Sequence, residues 1–133
     1  MVWLLHNSIN RLKLKKKLGL AINYHNIGYA EEAKGNLNAA LTNYNKSLDY
    51  NIAIDSEIGR VIYYSSLGGI YLKKKKYKDA EPIIKEALDK ALKLNDQFYI
   101  ASSYINLGQL ATELKQLSSA ETNLKTTRHR GGL

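Results

Sequence analysis

Apolar residues in this chain fall at helical spacing, and the whole pattern then returns 40 residues further on. Val61, Tyr64, Leu67, Gly68 and Tyr71 follow i, i+3, i+6, i+7, i+10 spacing, which lines them along one helix face. The lysines at 73–76 interrupt this stripe and mark a turn. A second stripe follows at Tyr77, Ala80, Ile84, Ala87, Leu88 and Ala91. Lys34, Gly35 and Asn36 mark the equivalent turn one copy earlier; Leu114, Lys115 and Gln116 mark it one copy later. Asp55, Ser56 and Glu57, and likewise Asn95, Asp96 and Gln97, separate the units and offer side chains that cap the next helix. The pattern predicts helices at about 18–33, 37–54, 57–73, 77–94, 97–113 and 117–127. Residues 2–16 add a seventh, with Val2, Leu5, Ile9 and Leu12 on one face.

The repeat is carried by tyrosine, glycine and alanine positions, with only 9 Gly and 10 Tyr in the whole chain. Tyr24, Tyr64 and Tyr104 share one phase, Gly28, Gly68 and Gly108 a second, and Ala40, Ala80 and Ala120 a third. Ile27, Leu67 and Leu107 precede the glycines; Tyr44, Ile84 and Leu124 follow the alanines by four. A mid-helix glycine costs about 1 kcal/mol relative to alanine, so three in register imply a close helix approach that offsets the loss. The alanines are the matching small positions on the second helix, and each tyrosine offers a ring for the interior and a hydroxyl for a polar partner. A lone hairpin cannot bury its stripe, so the units must stack. The expected fold is all-α: a right-handed solenoid of αα-hairpins with about seven helices. Its units are a half repeat at 1–16 and repeats at about 18–54, 57–94 and 97–127, with a tail at 128–133. Leu12 and Leu14 sit 40 before Ile52 and Ile54, and Gly19 sits 40 before Gly59, so the chain reads as opening halfway through a repeat.

Composition narrows the chemistry. With one Pro in 133 residues, little interrupts a helical ladder. The absence of Cys excludes a disulfide framework and thiolate-ligated zinc. A net charge of +8 favours anionic partners of some kind. No apolar stretch approaches the ~20 residues of a membrane span, and the opening Val2, Trp3, Leu4, Leu5 run is shorter than a signal-peptide core. The expected location is cytoplasmic.

The residues Tyr64, Leu67, Gly68, Tyr71, Ala80 and Ile84, repeated as Tyr24, Ile27, Gly28, Ala40, Tyr44 and as Tyr104, Leu107, Gly108, Ala120, Leu124, resemble the tetratricopeptide pattern W-x2-L-G-x2-Y…A…aromatic. The 40-residue period exceeds the usual 34 and the closing Pro is missing. In this the chain is similar to the longer variant of kinesin light chains and of sensor regions in bacterial signalling proteins. The resemblance implies a scaffold without enzymatic activity that binds a partner peptide or helix on the concave face formed by the first helix of each unit. It also implies a place within a larger sensor, adaptor or regulatory protein. By phase, that face carries Ile22, His25, Asn26 and Tyr29, then Ile62, Ser65, Ser66, Gly69 and Lys73, then Ser102, Ile105, Asn106 and Gln109. The lysine and asparagine clamp with which some members grip a chaperone's C-terminal carboxylate is absent; His25, Tyr29, Ser66, Ile105 and Gln109 stand there.

Other chemistry finds little support. His6, His25 and His129 lack metal-ligand spacing, no nucleotide or nucleophile motif occurs, and no cofactor is expected. Glu31 and Glu32 are neighbours that point in different directions on a helix. Lys13, Lys15, Lys16 and Lys17, with the lysines at 73–76, allow a rival reading as a basic array binding nucleic-acid phosphates. Their place near helix ends, without base-reading aromatics, favours solvated turns instead. Finally, Leu107, Leu110, Leu114, Leu117 and Leu124 are expected to leave an apolar patch at the C-terminal end, open to more of an array or to self-association.

Overall fold

The computed structural model describes residues 2–131, with side chains placed through Arg128. Among these residues every regular element is a helix: α1 (Val2–Ala33), α2 (Leu37–Ala53), α3 (Glu57–Lys73), α4 (Tyr77–Leu94) and α5 (Gln97–Gly131). The C-terminal half of α1 pairs with α2, and α3 pairs with α4. The first part of α5 then covers both α3 and α4. The chain is thus an all-α stack of antiparallel hairpins.

The turns are built alike. Each contains one residue in the left-handed region, and these residues are spaced by 20: Gly35 at φ +84°, Asp55 at 54°, Lys75 at 59° and Asn95 at 53°. The amide that follows each one donates back across the helix end: Asn36 to the Glu31 carbonyl, Ser56 to Asn51, Lys76 to Tyr71 and Asp96 to Ala91, at 2.9–3.0 Å. These bonds occupy carbonyls that a helix end otherwise leaves without partners. The next helix starts on a side-chain cap where one is available. Gly59 donates its amide to Ser56 Oγ at 3.0 Å, and Tyr99 donates to Asp96 Oδ1 at 3.1 Å.

Five helices, not seven, is a correction to the sequence reading. Residues 2–16 and 18–33 form one helix, and so do 97–113 and 117–127. The 20-residue turn phase falls on Lys15 and Lys115, yet both remain helical. A lysine does not by itself favour the left-handed conformation. At Lys75 the turn is supported by the helix after it, since Ala80, Ile84, Ala87 and Ala91 are all buried on α4. After Lys115 the stripe is Leu117, Ala120 and Leu124, and then Thr127 and Arg128 stand where Ala87 and Leu88 would. With less to bury, continuing the hydrogen-bond ladder is the better local solution.

Two clusters form the core. Ala40, Tyr44 and Ile70 pack with Leu37, Leu41 and Tyr63, joining the first hairpin to α3. Leu72, Ala80, Ile84 and Leu110 pack with Tyr71, Tyr77 and Leu107, joining the second hairpin to α5. The glycines mark the seams. A Cβ on Gly28 would stand 2.7 Å from the Tyr44 ring, and one on Gly68 would stand 2.8 Å from Ile84 Cγ1. Gly108 meets nothing within 4 Å. Ala40 and Ala80 are fully buried, whereas Ala120 is exposed because no helix lies against it.

The tyrosines divide in the same way. Tyr24 and Tyr64 are half-buried, but Tyr104 is 56% exposed, which corrects its expected interior place. Tyr24 stacks on Tyr50 at 5.8 Å and Tyr64 lies under the Lys90 ammonium at 5.4 Å. Both partners come from second helices, and the third unit has none folded back. The expected C-terminal patch also shrinks. Leu110 is buried and Leu107 packs beside it, so the open surface begins at Leu114.

Candidate functional site

A cleft of about 370 Å³ opens on the side shared by α1, α3 and α5. Ile22 and His25 enter it from α1, Ile58 and Ile62 from α3, and Tyr99 from the start of α5, while Asn51 of α2 lies at its base. Its floor follows from another close approach. A Cβ on Gly59 would overlap the Asn51 side chain, so only glycine lets α3 settle onto α2 there. Asn51 donates toward Ser47 Oγ at 3.4 Å, and Ser47 donates to the Ala21 carbonyl at 2.7 Å. Apolar walls around a few satisfied amide and hydroxyl groups suit a peptide or helix carrying both kinds of group.

Farther along the same side, Glu32 organises a polar bridge. It accepts from the Tyr44 hydroxyl at 2.6 Å and from the Lys73 ammonium at 2.7 Å, tying α1, α2 and α3 together. Burial and the Glu32 carboxylate push the Tyr44 phenol well above its ordinary pKa, so it stays a neutral donor. Gly69 keeps space open beside this carboxylate, its notional Cβ 3.9 Å from Glu32 Oε1.

Of the residues singled out in sequence, Ile22, His25 and Ile62 come together in the cleft. Ser65, Ser66 and Gly69 are half-buried along α3, and Lys73 is held by Glu32. Asn26 and Tyr29 are exposed farther along α1. Ser102, Ile105, Asn106 and Gln109 lie on α5 outside the cleft, with Ile105 70% exposed. Two residues were missed. Tyr99 occupies the phase of Gly19 and Gly59, and this break in the glycine series was the available signal. Glu32 was set aside as a sequence neighbour of Glu31, and nothing local marks it as a bridge.

His25 responds to acid. Burial lowers its pKa below 6.5, with the Glu32 charge opposing in part. The unfolded chain therefore takes up the proton more readily than the folded one. Stability is complete above about pH 6.5 and falls as the pH drops through the lowered folded value. Thermal melts should shift downward between about pH 7 and 5.5, and His25→Gln should remove part of that slope. A slope identical in the variant would exclude His25 as its source.

Among the described residues no three His, Asp or Glu side chains cluster as a metal site, and no helix is long and apolar enough to cross a membrane. Of the lysines in the two runs, Lys75 and Lys76 come together with Lys78 beside Asp79, Leu114 and Leu117, and the others are dispersed. Lys74 donates to Asn38 Oδ1 at 2.6 Å, Lys73 is paired with Glu32, and Lys13, Lys15, Lys16 and Lys17 splay around exposed α1.

Stacked antiparallel hairpins, small residues at each seam, and an open cleft on the first-helix side define a helical-repeat protein of the class that presents a surface to other molecules. Family models described as tetratricopeptide repeat match residues 60–128, more than half of the chain, and residues 21–51. The chain belongs to the tetratricopeptide repeat family. Such repeats generally mediate protein–protein interactions and serve as scaffolds without enzymatic activity. No curated protein and no solved structure matches the chain.

Proposed function

We propose that this chain holds a partner peptide or helix along the side formed by α1, α3 and α5, as the interaction module of a cytoplasmic sensor, adaptor or regulatory protein. The observation that supports this reading most directly is the cleft in which Ile22, His25, Ile62 and Tyr99 converge around the buried amide of Asn51. Tyr29 at 68% exposure and Ile105 at 70% extend apolar contact to either side. Exposed side chains of this size on one side of a soluble fold suit a partner more than solvent.

The test is selection of binding peptides from a random display library on the intact chain, with affinities then measured by calorimetry. Ile62→Asp should weaken a selected peptide by roughly tenfold or more, because a charge would replace apolar contact in the cleft wall. Salt should change the affinity little. Failure to select any peptide, or selected peptides indifferent to Ile62→Asp, would overturn the reading. Binding of duplex or single-stranded nucleic acid that falls steeply with salt and depends on Lys13, Lys15, Lys16 and Lys17 would instead favour a phosphate-binding array.

A further inference from the structure

We infer that two copies of this chain exchange their last helical segments, residues 117–127 of each packing against residues 105–115 of the other around a two-fold axis near Gln116. The inference begins from the register of the two seams within the chain. Gly28 faces Tyr44 and Gly68 faces Ile84, in each case 16 residues later across an antiparallel turn. The same offset pairs Gly108 with Leu124. In one chain that pair cannot meet, because α5 is one unbroken helix from Gln97 to Gly131. At 1.5 Å per residue the two positions lie ~24 Å apart along the axis.

Each half of α5 therefore lacks the partner that the other half would supply. Gly108 has open space where Gly28 and Gly68 have a ring or a branched side chain. Leu124 is 67% exposed where Tyr44 and Ile84 are 1% exposed. Ala120 is exposed where Ala40 and Ala80 are fully buried. The match to the repeat family nevertheless runs on to residue 128, so the sequence retains a second-helix pattern that the single chain leaves without a first helix.

Antiparallel pairing of two α5 helices satisfies both needs at once. Gly108 of one copy meets Leu124 of the other, and the symmetry repeats the contact. The hairpin seam is rebuilt between chains, with the turn at Lys115 replaced by unbroken helix. The new helix would also continue a surface already in use, since Leu107 and Leu110 on the opposite flank of α5 seal the α3–α4 cluster. Such an interface is isologous and closes at two copies. Because each chain carries +8, pairing works against its own field and should strengthen as salt rises.

Light scattering on the intact chain, across micromolar concentrations and two salt levels, tests this. Wild type should run at twice its 15.0 kDa mass. Leu124→Glu should weaken the dimer by roughly tenfold or more while leaving helical circular dichroism in place, since the side chain touches no part of the monomer's core. Lys115→Gly combined with Gln116→Asn, which restores the turn residues found at Gly35 and Asn36, should shift the chain to monomer by letting 117–127 fold back. A wild-type monomer, an open-ended series of larger species, or a dimer untouched by both variants would overturn the inference. Peptide binding in the α1–α3 cleft is read separately, so failure of either proposal leaves the other standing.

Discussion

Truncating Tyr44 to alanine is expected to remove about 3–5 kcal/mol of stability, enough to leave much of the chain unfolded at physiological temperature. Three contributions meet in this side chain. The ring is 1% exposed, lies against Gly28 and packs in the cluster with Ala40 and Ile70. His25 tilts across it at 5.2 Å between centroids. The hydroxyl donates to Glu32, which is 13% exposed and also holds Lys73. Truncation opens a cavity that helices on both sides cannot easily close, and it takes one donor from a mostly buried carboxylate. Tyr44→Phe separates these parts. It keeps the ring and should lose only about 1.5–3 kcal/mol, the range for a hydrogen bond to a charged group. Urea unfolding followed by circular dichroism measures both. A loss below about 1 kcal/mol for Tyr44→Ala would mean that the α1–α2 seam is not a packed core.

The seams were legible in the sequence because their requirement is local and chemical. A glycine is needed where two helices approach most closely, and the period alone marked Gly28 and Gly68 as such positions; it matched them to Ala40 and Ala80, whereas the side chains they meet are Tyr44 and Ile84, four residues on. The turns were legible for a similar reason at Gly35, Asp55 and Asn95, residue types that tolerate the left-handed region. Lys75 and Lys115 were not distinguishable by type. Lys75 sits in a turn and Lys115 in a helix because of what can be buried 5–16 residues later, Ala80, Ile84, Ala87 and Ala91 in one case and Ala120 and Leu124 in the other. That is a tertiary decision. The same limit explains Tyr104, identical in phase to Tyr24 and Tyr64 yet left outside for want of a second helix. In the cleft, phase alone identified Ile22, His25 and Ile62. Tyr99 and Glu32 owe their roles to helices from other units, which a reading of one face at a time does not bring together.

The three glycines, equivalent in sequence, should therefore respond unequally to valine. At Gly28 the added Cβ meets two ring carbons of Tyr44 at 2.7 Å and the Ala40 carbonyl oxygen at 3.1 Å. The carbonyl belongs to backbone and cannot rotate away. At Gly68 the first obstacle is a side-chain carbon, Ile84 Cγ1 at 2.8 Å, which a change of rotamer relieves in part. Overpacking of this kind costs about 1–3 kcal/mol, less the few tenths gained by replacing glycine within a helix. The Gly28 variant should fall at the upper end of that range and the Gly68 variant below it. Gly108→Val should stay within about 0.5 kcal/mol of wild type when unfolding is measured at concentrations too low for chains to pair, because its Cβ enters open space. The ranking separates two pictures of the third unit. If Gly108→Val destabilises the dilute chain as much as Gly68→Val does, residues 117–127 must fold back onto 97–113 in solution, and the unbroken α5 is not the state of the isolated chain. If all three substitutions are tolerated, none of the seams is close-packed, and the forty-residue recurrence of glycine has no structural cause in helix approach.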